Sequence, residues 1–192
     1  HRDFRTAHRN LGVYYLEHDR PGDAVAEFEA AARLNPEYLK DPTYVWTLGL
    51  ACEKAGQSPK AAELFGRAAG LDRESAEAPY RAGLIYFHEG MFARAAEWLS
   101  ESLRRDPAFT AAAAPLAEAL RRAKHYPEAL EVLDSALLRT PKDGALRSAR
   151  GRLYLELSMW KEAAAEAEEL LRLRPDDPEA KGLLEAARRR SR

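Results

Sequence analysis

Cysteine is nearly absent: Cys52 stands alone among 192 residues. One thiol excludes an intrachain disulfide and any metal site built on paired cysteines. Net charge is missing as well. Thirty Lys and Arg offset 31 Asp and Glu, leaving a formal charge of −1, so bulk electrostatics draw the chain towards neither nucleic acid nor an anionic membrane. No apolar run approaches the ~20 residues that span a bilayer. The opening HRDFRTAHRN lacks the hydrophobic segment of a signal peptide. A chain starting on His1 without methionine reads as a piece of a longer protein, which leaves the compartment open between cytoplasm and periplasm.

Catalytic signatures are missing too. FHEG at 87 lacks the second histidine of a zinc-protease helix, no glycine loop is built to cradle phosphate, and no serine sits in a nucleophile elbow. The expectation is a non-enzyme with no cofactor and no bound metal. Cys52 is expected to be a small buried hydrophobe, and His88 and His125 to lie solvated at or beside turns.

What the sequence does have is repetition, on a composition that is 46% hydrophobic and so sufficient for a packed interior. The phrase AEFEAAARLNP at 26 returns as ELFGRAAGLDR at 63, EWLSESLRRDP at 97, EVLDSALLRTP at 131 and AEAEELLRLRP at 165. Successive starts are 34 residues apart, except for the first interval of 37, which carries three extra residues near 39–41. A fixed period of this length means stacked units. HDRPGD at 18, AGQSPK at 55, HEGM at 88 and AKHYPE at 123 split each unit into two helical patterns, so each unit is predicted to be a helical hairpin.

The recurring positions have steric reasons. Gly12, Gly49, Gly83 and Gly151, with Ala117 in the fourth unit, sit mid-way along the first helix, where glycine costs ~1 kcal/mol relative to alanine. Alanines answer from the second helix: Ala24, Ala61, Ala95, Ala129 and Ala163. Small facing small lets two helix backbones cross closely, while Phe28, Phe65, Leu99 and Leu133 fill the layer opposite. Pro36, Pro107, Pro141 and Pro175 stop the second helix, and Pro115 is expected to delay the start of the fourth unit's first helix.

This pattern resembles the tetratricopeptide repeat family. The resemblance implies an all-α, right-handed superhelical solenoid of antiparallel helix pairs. Five repeats would lie at about 5–38, 42–75, 76–109, 110–143 and 144–177, with a capping helix at about 178–190 whose Leu183 and Leu184 cover the last repeat. Arg73 departs from the pattern where a terminal proline is usual, as do Ser102 and Leu170 where alanine is. The pentatricopeptide alternative, which reads RNA, fits neither the period nor the neutral charge.

The resemblance further implies a concave groove lined by the first helices. Carried over position by position, it gives Arg9, Asn10, Val13 and Leu16, then Trp46, Thr47 and Leu50, then Glu77, Tyr80, Arg81, Leu84 and Phe87. Glu118, Arg121, Arg122, Ser148, Arg152 and Leu155 complete it. Its N-terminal half is aromatic and apolar, its C-terminal half basic. Aromatic rings and arginine are the residues that binding hot spots favour. The carboxylate clamp of co-chaperone members of the family maps onto Arg9, Val13, Thr47, Glu77 and Arg81, of which only the two arginines suit that chemistry. The expected function is therefore a protein-interaction scaffold or adaptor that holds an extended peptide or a helix of a partner protein. Self-assembly into homo-oligomers is the alternative. Nucleic-acid or membrane-surface binding through LRRAKH at 120 and RRRSR at 188 is not expected. The Ala-, Arg- and Leu-rich wording points to a GC-rich bacterial genome.

Overall fold

The computed structural model describes residues 2–190, with side chains described from residue 4 onward. Among them the chain forms helices and no strand: α1 (Arg2–Glu17), α2 (Pro21–Leu34), α3 (Pro42–Lys54), α4 (Ser58–Leu71), α5 (Glu77–His88), α6 (Phe92–Arg105), α7 (Ala113–Arg122), α8 (Tyr126–Arg139), α9 (Gly144–Glu156), α10 (Trp160–Leu173) and α11 (Pro178–Arg190). None is long and apolar enough to cross a membrane. The helices pair in chain order as five hairpins, α1 with α2 through α9 with α10. Each second helix also packs on the first helix of the next hairpin, and α11 closes over α10.

Proline and aspartate set the helix boundaries. Pro21, Pro42 and Pro178 open α2, α3 and α11, where the absent N–H would have had no intrahelical partner anyway. Asp41 and Asp143 cap α3 and α9 by accepting from the N–H groups two and three residues on. Pro115 sits in the first turn of α7 behind a 3-10 turn at Thr110–Ala112, so that helix does start late. The three extra residues of the first interval are absorbed by a 3-10 turn at Pro36–Lys40, in which Tyr38 stacks on Tyr44 with ring centroids 4.9 Å apart.

The turn within each hairpin places one residue in the left-handed region at the same point five times. Asp19, Gly56, Gly90, Lys124 and Ser158 have φ of 54°, 73°, 75°, 65° and 62°. Glycine adopts this conformation freely, whereas the other three residues carry a steric cost of roughly 1–2 kcal/mol.

Close helix crossing is the reason for the other recurring glycines. A Cβ added at Gly12 would lie 2.8 Å from the Phe28 ring, at Gly49 2.9 Å from Phe65, and at Gly83 2.7 Å from Leu99. The expected pairing of the small position with Phe28, Phe65 and Leu99 is therefore the packing of α1 on α2, α3 on α4 and α5 on α6. In the fifth hairpin the large partner is replaced by Ala167, and the space above Gly151 is taken instead by Leu183 of α11, 2.5 Å from where a Cβ would be. Leu183 is buried, Leu184 packs beside it against Leu170 and Ala180, and the last hairpin is covered as expected. Ser102, fully buried in place of alanine, satisfies its hydroxyl by donating to the Ala76 carbonyl at 2.8 Å.

From α5 onward the first helices lie nearer to one another than the second helices do, as α5 touches α7, α7 touches α9 and α9 touches α11. The crowded side of a curved stack is its inner side. The first helices therefore line the inside of that part of the solenoid.

Candidate functional site

Arg9, Val13 and Thr47 come together. With Phe28, Asp41, Thr43 and Tyr44 they line a cavity of about 160 Å³ between α1 and α3. The Thr47 hydroxyl donates to the Thr43 carbonyl at 2.8 Å and keeps its acceptor capacity. Tyr44 donates its hydroxyl to the Phe28 carbonyl, and burial pushes its pKa up to about 12, so it stays neutral. Asn10 is exposed on α1 beside Arg9.

A second cavity of about 210 Å³ lies at the ends of α3, α4 and α5. Trp46 and Glu77 share it with Thr43, Asp72 and Ser75. The Trp46 ring lies 5.0 Å from Phe65, so one part of it belongs to the core while another lines the cavity. Leu50 and Leu16 are half-buried against the same core. Tyr80 meets Phe109, in the connection to the next hairpin, edge-on at 5.1 Å, and Phe87 meets Phe92 of its own hairpin at 5.6 Å. Leu84 is half-buried on α5.

The expected basic C-terminal half is corrected by carboxylates from adjacent first helices. Arg81 donates to Glu53 of α3 at 3.2 Å and to Glu77 of its own helix at 3.3 Å. Arg121 pairs with Glu118 at 2.7 Å and reaches Glu156 of α9. Arg122 pairs with Glu118 at 2.9 Å, and its guanidinium lies 5.5 Å from the Phe92 ring. Arg152 donates to Glu179 of α11, which also accepts from the Ser148 hydroxyl at 2.6 Å. The result is a ladder of alternating charge along the inner surface. Hydrogen bonds from Arg121, reinforced by Arg122, hold the Glu118 carboxyl down to about 2 against the opposing effect of burial. Arg121 likewise lowers Glu156. Arg9 differs from these arginines, because it is exposed and forms no ion pair among the described residues. Among the groove arginines it is the one without an ion-pair partner among the described residues.

The sequence reading missed Glu53, Glu156 and Glu179, because cross-helix pairing depends on how far each hairpin is rotated against the next. It also missed Asp41 and Tyr44 as cavity walls. Cys52 is fully buried and burial raises its thiol pKa, which disfavours a reactive thiolate. His88 and His125 are exposed at helix ends. No group of three or more metal-ligating side chains converges among the described residues. In RRRSR, Arg188 pairs with Glu168 at 3.1 Å and Arg190 lies over Trp160 at 5.4 Å, while residues 191 and 192 lie outside the described residues.

Two tetratricopeptide repeat profiles cover almost the whole stack, one matching residues 9–72 and 47–108, the other 86–153 and 120–187. The chain belongs to the tetratricopeptide repeat family. No curated protein matches it. Among solved structures, the fold is similar to YrrB, described as a TPR protein with an unusual peptide-binding site. That similarity has a TM-score of 0.79 at 16% identity, over 91% of this chain and 89% of that one. MamA gives 0.76 at 18% identity, over 85% and 94% of the two chains. A tetratricopeptide repeat protein from Parabacteroides merdae gives 0.83 at 14%, over 98% and 74%.

Proposed function

We propose that this tetratricopeptide repeat chain is a non-catalytic scaffold that holds a peptide or helix of a partner protein against the row of first helices. The observation that carries this reading is the pair of cavities along α1, α3 and the start of α5, which share Thr43 and are bordered by Arg9, Val13, Trp46 and Glu77. Ring faces and methyl groups there supply apolar burial, and hydroxyls supply orientation. Arg9 supplies a charge with no competing internal partner, so a carboxylate of the ligand gains a charge-assisted hydrogen bond without displacing one already made. Arg81 would first have to leave Glu53 or Glu77, so the geometry favours Arg9 as the anchor.

Selection of binders from a random peptide library on the intact chain tests this. Selected peptides should carry an acidic residue or use their C-terminal carboxylate, and Arg9→Glu should weaken them about tenfold or more. The double change Tyr80→Ala with Arg81→Ala should also weaken binding at least tenfold, whereas changing the outward Arg94 should not. Binders unaffected by all the inner changes but lost on substitution of α2, α4 or α6 would place the site on the opposite face.

A further inference from the structure

Leu64 of α4, Trp98 of α6 and Val132 of α8 stand at one position of the repeat, 34 residues apart. Trp98 occupies the groove between α4 and α6, where a Cβ added at Gly66 would lie 3.2 Å from its indole. Leucine and valine are smaller than an indole, and at their junctions the groove is open. Between α2 and α4 it is a cavity of about 490 Å³, and between α6 and α8 one of about 330 Å³. The two are the same place in the repeat. Pro36, Glu63 and Leu64 line the first, and their equivalents Pro107, Glu131 and Val132 line the second. The first also takes in Leu39, from the 3-10 turn that absorbs the three extra residues.

We propose that the cavity between α2 and α4 binds a small aromatic carboxylate. The chain itself defines the apolar part of that ligand, because one junction further on an indole ring occupies the same groove. Its volume lies within the ~300–1,000 Å³ of small-molecule sites, which are mostly apolar with a few polar groups that orient the ligand. Ala32, Leu39, Leu48 and Leu64 supply the apolar surface here, and the rim supplies the charge. Arg33, Lys60 and Arg67 face Glu29 and Glu63 there, which leaves one positive charge in excess. Glu29 answers both Lys60 and Arg33, whereas Arg67 has no ion pair among the described residues. A carboxylate on the ligand neutralises that excess with a charge-assisted hydrogen bond from Arg67. The cavity between α6 and α8 lacks this feature, since Ser135 stands in the place of Arg67 and Glu131 is balanced by Arg139.

The probe is indole-3-acetate, titrated into the 192-residue chain while alanine, leucine and valine methyl groups are followed by NMR. Saturable shifts at Ala32, Leu39, Leu48 and Leu64 are expected, with none at Leu103 and Val132. Neutral indole should bind about fivefold more weakly, and Arg67→Gln should remove that difference by weakening indole-3-acetate alone. Arg67 is exposed, so this change should leave the melting temperature where it was. Glu29→Gly with Leu64→Trp copies the pattern between α4 and α6, where Gly66 makes room for Trp98. That double variant should abolish binding by filling the cavity from within, although losing Glu29 makes the rim more positive. Absence of saturable binding at millimolar probe would overturn the proposal. So would equal shifts at Val132, an affinity for indole-3-acetate that Arg67→Gln leaves unchanged, or undiminished binding to the folded double variant. Tighter binding of a blocked glutamyl-tryptophan dipeptide than of indole-3-acetate would overturn it too, by giving the cavity to a side chain of an acidic peptide.

Discussion

Gly83 and Ser158 show how a single residue in this chain can be right for opposite reasons. A methyl group at Gly83 would meet the Leu99 side chain at 2.7 Å and its backbone nitrogen at 3.2 Å. The backbone cannot yield as a side-chain tip can, so Gly83→Ala should destabilise by about 1–3 kcal/mol in urea unfolding. Gly182 is exposed within α11 and a Cβ there would meet nothing within 4 Å, so Gly182→Ala should stabilise by about 0.5–1 kcal/mol. At Ser158 the φ of 62° reverses the argument, and Ser158→Gly should raise the unfolding midpoint where Gly90→Ala lowers it. The mid-helix glycines were legible in the sequence because they recur in phase. The left-handed turn position was not, since aspartate, lysine and serine stand there in three of five copies and conceal the shared backbone conformation.

At the scale of the element, the charge ladder ties one leading helix to the next and makes their contact sensitive to acid. Glu118 has an ordinary pKa of 4.5 that falls to about 2 in the folded chain. Its contribution to stability is therefore complete above about 4.5 and is lost as pH falls from there towards 2. Glu118→Gln should lower the melting temperature at neutral pH and flatten its decline across that window, which calorimetry at a series of pH values would read. The outermost element makes a separate case. Leu183 of α11 occupies the place above Gly151 that Phe28, Phe65 and Leu99 occupy in earlier hairpins. Leu183→Ala should therefore cost about 2–5 kcal/mol, and deleting residues 176–192 should cost solubility as well. The sequence made this helix legible as a cap through its leucine pair. It could not show that Leu183 compensates for Ala167, because that requires knowing that α11 reaches across to α9. Among the groove candidates, Arg9, Val13 and Thr47 share one cavity. The charges of Arg81, Arg121 and Arg152 are answered by Glu53, Glu156 and Glu179, acids that lie 27 to 35 residues away along the chain.

The whole molecule exposes 10846 Å², against about 9200 Å² for a compact protein of its mass. Each hairpin touches only its neighbours, so surface that a sphere would bury stays wet. Solution scattering should give a radius of gyration clearly above the ~16 Å of a compact chain of this length. A value at that level would contradict the stacked arrangement. Glu185 has a bearing on how such a chain can be lengthened by duplication of its coding sequence. It stands 34 residues after Gly151, where a glycine would admit a following helix. A duplicated hairpin copied in ahead of α11 inherits a glycine or alanine at every crossing and can be accepted in a single genetic step. One joined after α11 meets a glutamate at the crossing point and needs a further substitution there before it can pack. Added hairpins should therefore accumulate ahead of α11 rather than directly behind it.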